Sequence, residues 1–272
     1  MATVRHYHHH FHFSYHTSLK KHFSSVVGVL ALVILILLAL FHLVAPSQPL
    51  VSLDQLSLWD LLLASFATLE RLTIAYLVAL VCAVPLALLV VSTPKLEKIL
   101  LPFFDVLQSI PVLAFFPVVV LLFIKLGMLE GAAVLVLFLA MLWNLVFSMI
   151  GGLKTMPQDL QAAATVFHAT GFKKLRFITL PAIFPSIITG SLLAWAQGWN
   201  IIIVAEVLHS YIPGGTSAQD LFGLGSLLVS ASFLGKNSVF LAALTVMVVL
   251  IALYNFFIWQ KLLHMAERYR FD

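Results

Sequence analysis

A chain of 272 residues that is 62% hydrophobic and only 10% charged is not a soluble globular domain, which runs nearer half apolar and a quarter charged. Several of its apolar runs reach about 20 residues, enough to cross a hydrocarbon core roughly 30 Å thick, so it is an integral membrane protein. The formal net charge of +4 then belongs to lysines and arginines at the ends of spans in a lipid bilayer, not to a nucleic-acid surface.

Residues 5 to 16, RHYHHHFHFSYH, together with His22 hold seven of the eleven histidines. A metal-binding tract and a solvated tail are both open readings. The spacing of a closed site is missing and no cysteine or carboxylate accompanies the histidines, which favours the tail, and no metal ligand is assigned. Residues 1–23 are thus expected to be a cytoplasmic tail.

The first apolar run, Val26 to Val44, is preceded by Lys20 and Lys21 and ended by Pro46, Ser47, Gln48 and Pro49. Leu43-Val44-Ala45 has the look of a cleavage site, but the run exceeds the usual 7–15-residue signal core, so an uncleaved span is expected. Residues 24–57 hold this span and an outer loop.

In residues 50 to 69, Leu58, Leu61, Leu62, Ser65 and Leu69 recur at helical spacing beside Trp59 and Asp60. The mixture predicts an interfacial helix. Glu70 and Arg71 follow as an interfacial anchor pair. Leu72 to Val91, 20 residues free of charge, then forms the second span, with the single cysteine, Cys82, inside it. Ser92, Thr93 and Pro94 break the chain. Leu100 to Ile124 is the third run, and Pro102, Pro111 and Pro117 predict that it is not straight. A tight turn at Lys125 to Gly131 leads to the fourth span, Ala132 to Ile150. The fifth runs from about Phe184 to Leu208. A longer polar and glycine-bearing stretch covers 209 to 236, and Val239 to Trp259 is the sixth.

Six spans put both termini on one side. If that side is the cytoplasm, 12 of the 15 lysines and arginines are cytoplasmic, and only Arg71, Lys125 and Lys236 lie outside. The positive-inside rule selects this orientation.

The segment between Ile150 and Phe184 is too long for a simple connection and is helical in composition. Leu160, Ala163, Ala164, Phe167, Gly171 and Leu175 recur at steps of three and four, giving a shallow apolar stripe. Pro157 is placed to open this helix, and Thr170 to cap a second one. Such a helix either lies on the membrane or docks in a groove of a soluble partner, and an alanine-rich stripe suits the groove.

In the fifth span Ser186, Gly190, Ala194 and Gly198 recur at steps of four, the spacing of a close-packing face. Gln197 and Asn200 lie on another face. With Gln108 and Asn144 they either hydrogen-bond a neighbouring helix or line a path through the bundle. Glu206, near the outer end of the span, is a gate or packing element or a solvated interfacial carboxylate. No H-E-x-x-H, G-x-S-x-G or phosphate-loop motif occurs, which argues against an enzyme. An ion-coupled secondary transporter would carry ionisable residues deep in its spans. A non-transporting scaffold leaves the cytoplasmic loop unexplained.

That loop, with Ala162-Ala163-Ala164, then His168, the basic Lys173, Lys174 and Arg176, and Leu180-Pro181, resembles the signature loop of inner-membrane permease subunits of binding-protein-dependent ABC transporters. There the pattern reads Glu-Ala-Ala, a glycine four residues on, and a basic stretch closing on Leu-Pro. PAIFPSIITG and WNIIIVAEV resemble the nitrate, sulfonate and bicarbonate branch. The resemblance covers roughly Leu58 to the C-terminus. It implies an all-α polytopic bundle of about six transmembrane helices: a permease core over 58–262, its coupling loop over 154–182, and a cytoplasmic tail over 263–272. It implies an ATP-driven importer in the bacterial inner membrane, without a cofactor of its own. Its partners would be a separate ATP-binding subunit gripping Leu160, Ala162, Ala163, Ala164, Phe167, His168, Gly171, Leu180 and Pro181, a second permease subunit as homo- or heterodimer, and an extracytoplasmic solute-binding protein. The outer segment with Pro213, Gly214 and Gly215 would help dock that protein. The substrate would be a small anion such as nitrate, a sulfonate or taurine, or bicarbonate. Ala162 stands where the family has glutamate and His168 where it has glycine, departures most easily tolerated in a heterodimer whose other permease carries the full pattern.

Overall fold

A computed structural model describes residues 57–269, and every described element is helical or irregular, with no strand among them. The expected first span and the histidine-rich tail lie outside the described residues. Helix α1 is Leu58–Val91. It begins at a capping box in which the Asp60 N–H donates to Ser57 Oγ at 3.2 Å and the Ser57 N–H donates back to Asp60 Oδ2 at 2.8 Å. The expected division into an interfacial helix and a separate span at Glu70–Arg71 is corrected: α1 runs unbroken for 34 residues, about 50 Å. Neither residue breaks a helix, and the Arg71 charge is met by carboxylates from elsewhere in the bundle.

Helices α2 (Pro94–Ser109) and α3 (Val112–Lys125) form the bent third run, turning through 78° between them. Only Pro111 makes the break. Ile110, just before it, sits at ψ 123°, the extended conformation that a following proline imposes. Pro102 and Pro117 lie inside their helices.

Helix α4 (Leu129–Lys154) is the central post of the bundle, packed between α1 and α8 (Phe184–Glu206). Between α4 and α8 come α5 (Gln158–Val166), α6 (Gly171–Lys174), a π-helical turn Leu175–Thr179 and α7 (Leu180–Ala182). After α8 the chain does not stay polar to residue 236 as expected. Leu221 to Leu228 are all buried, and α9 (Leu224–Phe233) is a short apolar helix packed on α8 and α10 (Asn237–Tyr254). It is too short to cross a membrane, and serines and glycines interrupt its apolar pattern, so composition hides it. A π-helical turn, Asn255–Trp259, joins α10 to α11 (Gln260–Glu267).

Among the described residues four helical stretches are long and apolar enough to cross a membrane, and the bent α2–α3 pair makes up to five. The protein is a multi-pass membrane bundle. Lys154 pairs with Glu97 in the first turn of α2, and Ser148 Oγ donates to the Ser186 carbonyl at 2.7 Å. These contacts bring the start of α2, the end of α4 and the start of α8 to one end of the bundle, the basic end.

Candidate functional site

Most of the residues singled out from the sequence fall in three places in the bundle, and the small residues of α8 lie on a seam with α4. At the basic end, α5 closes with a Schellman turn: the His168 N–H donates to the Thr165 carbonyl at 3.1 Å and the Ala169 N–H to the Ala164 carbonyl at 2.9 Å. His168 occupies the left-handed position at φ 49°, and Gly171 follows at φ 55°. Two such residues end the helical stripe expected to run on to Leu175. Ala164 is buried, whereas Ala162 and His168 are exposed and Phe167 projects with 78% of its surface free. Val166, Phe172 and Phe177 are exposed as well, so the loop carries an apolar knuckle that nothing in the described chain covers. Leu160, Leu180 and Pro181 are half-buried and Gly171 is exposed. Thr170 stands at the N-cap of α6, but its side chain makes no capping bond.

The second place is a cavity of about 350 Å³ beside the Ile110–Pro111 break, where Gln108 from α2, Asn144 from α4 and Gln197 from α8 converge. Ile110, Pro111, Val112, Leu113, Ala140, Trp143 and Ile201 complete the wall. An apolar cavity with a few convergent polar groups is the usual form of a small-molecule site. Gln108 Nε2 donates to Asp105 Oδ1 at 2.8 Å, and Asn144 Nδ2 leans on the Ala140 carbonyl at 3.5 Å. Asn200 is exposed, off the cavity wall.

The third place, at the end opposite the basic one, was not visible as a unit in the sequence. Arg71, expected to sit at the membrane edge beside Glu70, is instead 4% exposed. Its Nε and Nη2 donate to both carboxylate oxygens of Glu130 at 2.5 and 2.7 Å, and its Nη1 donates to Glu206 Oε1 at 2.8 Å and to the Phe222 carbonyl at 2.9 Å. Glu206 is fully buried, not a solvated carboxylate. Thr68 Oγ1 donates to its Oε1 at 2.7 Å, and its Oε2 accepts from the N–H groups of Gly225 and Ser226 at 2.7 and 3.3 Å. A Cβ on Gly223 would strike the Glu206 carboxylate. The cluster ties α1, α4, α8 and the start of α9 together, and satisfying every charge with directed bonds is what makes such burial tolerable. The signal available beforehand was the presence of one arginine and two glutamates of opposite sign near the same ends of three spans.

From this cluster the chain runs out into residues 207–223. His209 Nδ1 lies 2.7 Å from Asp220 Oδ2, and the His209 N–H donates to Asp220 Oδ1 at 2.9 Å. Tyr211 packs on Phe116 with ring centroids 4.7 Å apart, and its burial there pushes the phenol above its usual range. Pro213 and Gly214 are exposed at the tip.

The small-residue face of α8 meets α4. A Cβ on Gly190 would lie 2.7 Å from Ser148 Cβ, and one on Gly198 would strike the Met141 side chain. Ala194 is fully buried, and Ser186 is the neighbour that a Cβ on Gly152 would strike. Among the described residues no group of three or more His, Cys, Asp or Glu stands close enough to hold a metal ion.

Comparison with known proteins adds the family. The sequence pattern of the family described as binding-protein-dependent transport system inner membrane component matches residues 72–264. The chain is 28% identical over 181 residues to the nitrate import permease protein NrtB of Leptolyngbya laminosa, a match covering 65% of this chain and 64% of that protein. It is 27% identical over 194 residues to the taurine transport system permease protein TauC of Escherichia coli (strain K12), covering 71% and 65%. It is 30% identical over 150 residues to the bicarbonate transport system permease protein CmpB of Synechococcus elongatus, covering 55% and 53%. The matched part is under two thirds of each relative's own length.

Proposed function

The chain belongs to the binding-protein-dependent transport system inner membrane components, and from that membership we propose that it is the permease subunit of an ATP-driven importer. It forms the translocation path and catalyses no covalent chemistry, and ATP hydrolysis falls to a separate subunit. The observation that carries this reading is the exposed knuckle of Val166, Phe167 and Phe172 at the basic end of the bundle. Val166 closes α5, Phe167 stands in the turn that follows it and Phe172 lies in the first turn of α6, a shape suited to a groove on a soluble partner. That partner is the ATP-binding subunit, and the basic end faces the cytoplasm of a bacterial inner membrane.

Closure of two ATPase subunits on ATP would push the two loops of a permease pair. The Lys154–Glu97 pair and the Ser148–Ser186 bond lie at the loop's two roots, where such a push enters α2, α4 and α8. Gln108, Asn144 and Gln197 sit on the path, with Asn200 beside it. The segment around Pro213 to Gly215 belongs to the face that receives a solute-binding protein. The names of the relatives point to a small anionic or acidic solute.

Phe167→Asp should leave the protein in the membrane in wild-type amounts while abolishing both co-purification of the ATPase and ATP-driven uptake. Normal uptake by this variant would overturn the proposal.

A further inference from the structure

The last span is attached to the bundle in a different way from the others. Helices α1, α4 and α8 are bound as one body: the Arg71 cluster clasps all three, and on the α4–α8 seam a Cβ on Gly190 would lie 2.7 Å from Ser148 Cβ. Of α10, by contrast, only Ala243 and Met247 are buried. Its first turn is fastened to α9 through a tight turn at Gly235, φ 66°. Its far end continues through the π-helical turn Asn255–Trp259 into α11, and such turns are frequent where a helix bends or functions.

What holds that far end is aromatic. Trp195 of α8 stacks on Tyr254 with ring centroids 5.1 Å apart and lies 6.2 Å from Trp259. Tyr76 of α1 stands edge-to-face with both tryptophans, at 5.7 and 6.4 Å. Both of them, and Trp199 one turn further along α8, are more than nine-tenths buried, and among the described residues the indole N–H of each has no acceptor. A buried donor without an acceptor keeps its desolvation cost, and a facing ring is a weak substitute. Toward the basic end the same two helices stand apart around a cavity of about 450 Å³, walled by Pro185 and Thr189 of α8 and by Gln260, Leu263 and His264 of α11. Beyond it Tyr269 closes on Phe184, ring centroids 5.2 Å apart. Parting this seam loses apolar contact but lets water from a polar cavity reach the unpaired donors. Parting α4 from α8 offers no such compensation.

We propose that α10 and α11 form a strap that swings away from α8 and α1 in each transport cycle, pivoting at Gly235 and bending at the Asn255–Trp259 turn, while α1, α4 and α8 move as one body. The proposal rests on the permease reading and adds to it which seam yields when the loop is pushed.

A reducible thiol cross-linker tests this in the purified permease–ATPase complex, read by vanadate-sensitive ATP hydrolysis in proteoliposomes. The Cys82→Ala parent, treated alike, is the control. Phe184→Cys with Tyr269→Cys ties the strap to α8, and linking this pair should stop hydrolysis until the link is reduced. Ser148→Cys with Ser186→Cys ties α4 to α8, and linking that pair should leave hydrolysis unchanged. Undiminished hydrolysis with the strap linked overturns the inference, as does loss of hydrolysis when α4 is linked to α8. Should the strap pair be inactive before linking, Thr189→Cys with His264→Cys spans the cavity between exposed positions and is read in the same way. A wild-type chain that co-purifies with no ATPase removes the permease reading, and this inference with it.

Discussion

His168 marks where one backbone dihedral decides what a substitution means. The family pattern has glycine there, and the α5 Schellman turn explains why: φ is 49° at a position that must be left-handed for the Ala164 and Thr165 carbonyls to find their donors. Histidine enters this region more readily than most residues, so the turn forms, at a cost of about 1–2 kcal/mol. His168→Gly should relieve about 1 kcal/mol of that strain and slow amide exchange across residues 158–175, whereas His168→Val should speed it. Arg71 is a residue whose worth lies wholly in its partners. Arg71→Met would leave Glu206 buried without its counter-charge, and removing one member of a buried pair costs about 3–5 kcal/mol. A correspondingly lower melting temperature of the detergent-solubilised protein is expected, with partial recovery when Glu206→Met is added.

At the scale of elements, the α4–α8 seam sets how closely two spans approach. A Cβ on Gly190 meets Ser148 Cβ at 2.7 Å, and a Cβ is held by the backbone and cannot rotate away, so the helices must separate. At Gly151 the same atom meets nothing within 4 Å. Gly190→Ala should therefore destabilise by about 1–3 kcal/mol in SDS titration, while Gly151→Ala should be neutral or stabilising by about 0.5–1 kcal/mol. The four-residue spacing that exposes this seam is legible in sequence because it lies within one helix. So are the apolar spans among the described residues and the bend of the third run, although Pro111 could not be told from Pro102 and Pro117 in advance. The Arg71 cluster was not legible, because its partners lie 59 and 135 positions away, and periodicity carries no information at that range. The same holds for the cavity: Gln108, Asn144 and Gln197 were individually conspicuous as polar residues in spans, but only the folded bundle brings them to one wall. Helix α1 was misdivided because a Glu-Arg pair reads as a membrane edge until its buried counter-charges are known.

For the whole molecule, the cluster also sharpens the argument about orientation. Arg71 is among the basic residues assigned to the outer side, yet it is neutralised by two carboxylates inside the bundle and contributes little to a surface tally. Lys125 and Lys236 then remain against the basic end, where Lys95, Lys98, Lys154, Lys173, Lys174 and Arg176 stand along α2, α4 and the loop. The charge asymmetry is steeper than the raw count, and it supports the proposed orientation, with the knuckle on the cytoplasmic side. Single cysteines test this directly, because the native Cys82 is buried and can be changed to Ala for a silent background. Cysteine at Ser217, exposed on the 207–223 segment, should react with a membrane-impermeant maleimide in spheroplasts with the inner membrane intact. Cysteine at Val166, 73% exposed on the loop, should react only after that membrane is permeabilised. The reverse pattern would put the knuckle out of reach of any cytoplasmic ATPase and would overturn the coupling proposal together with the orientation.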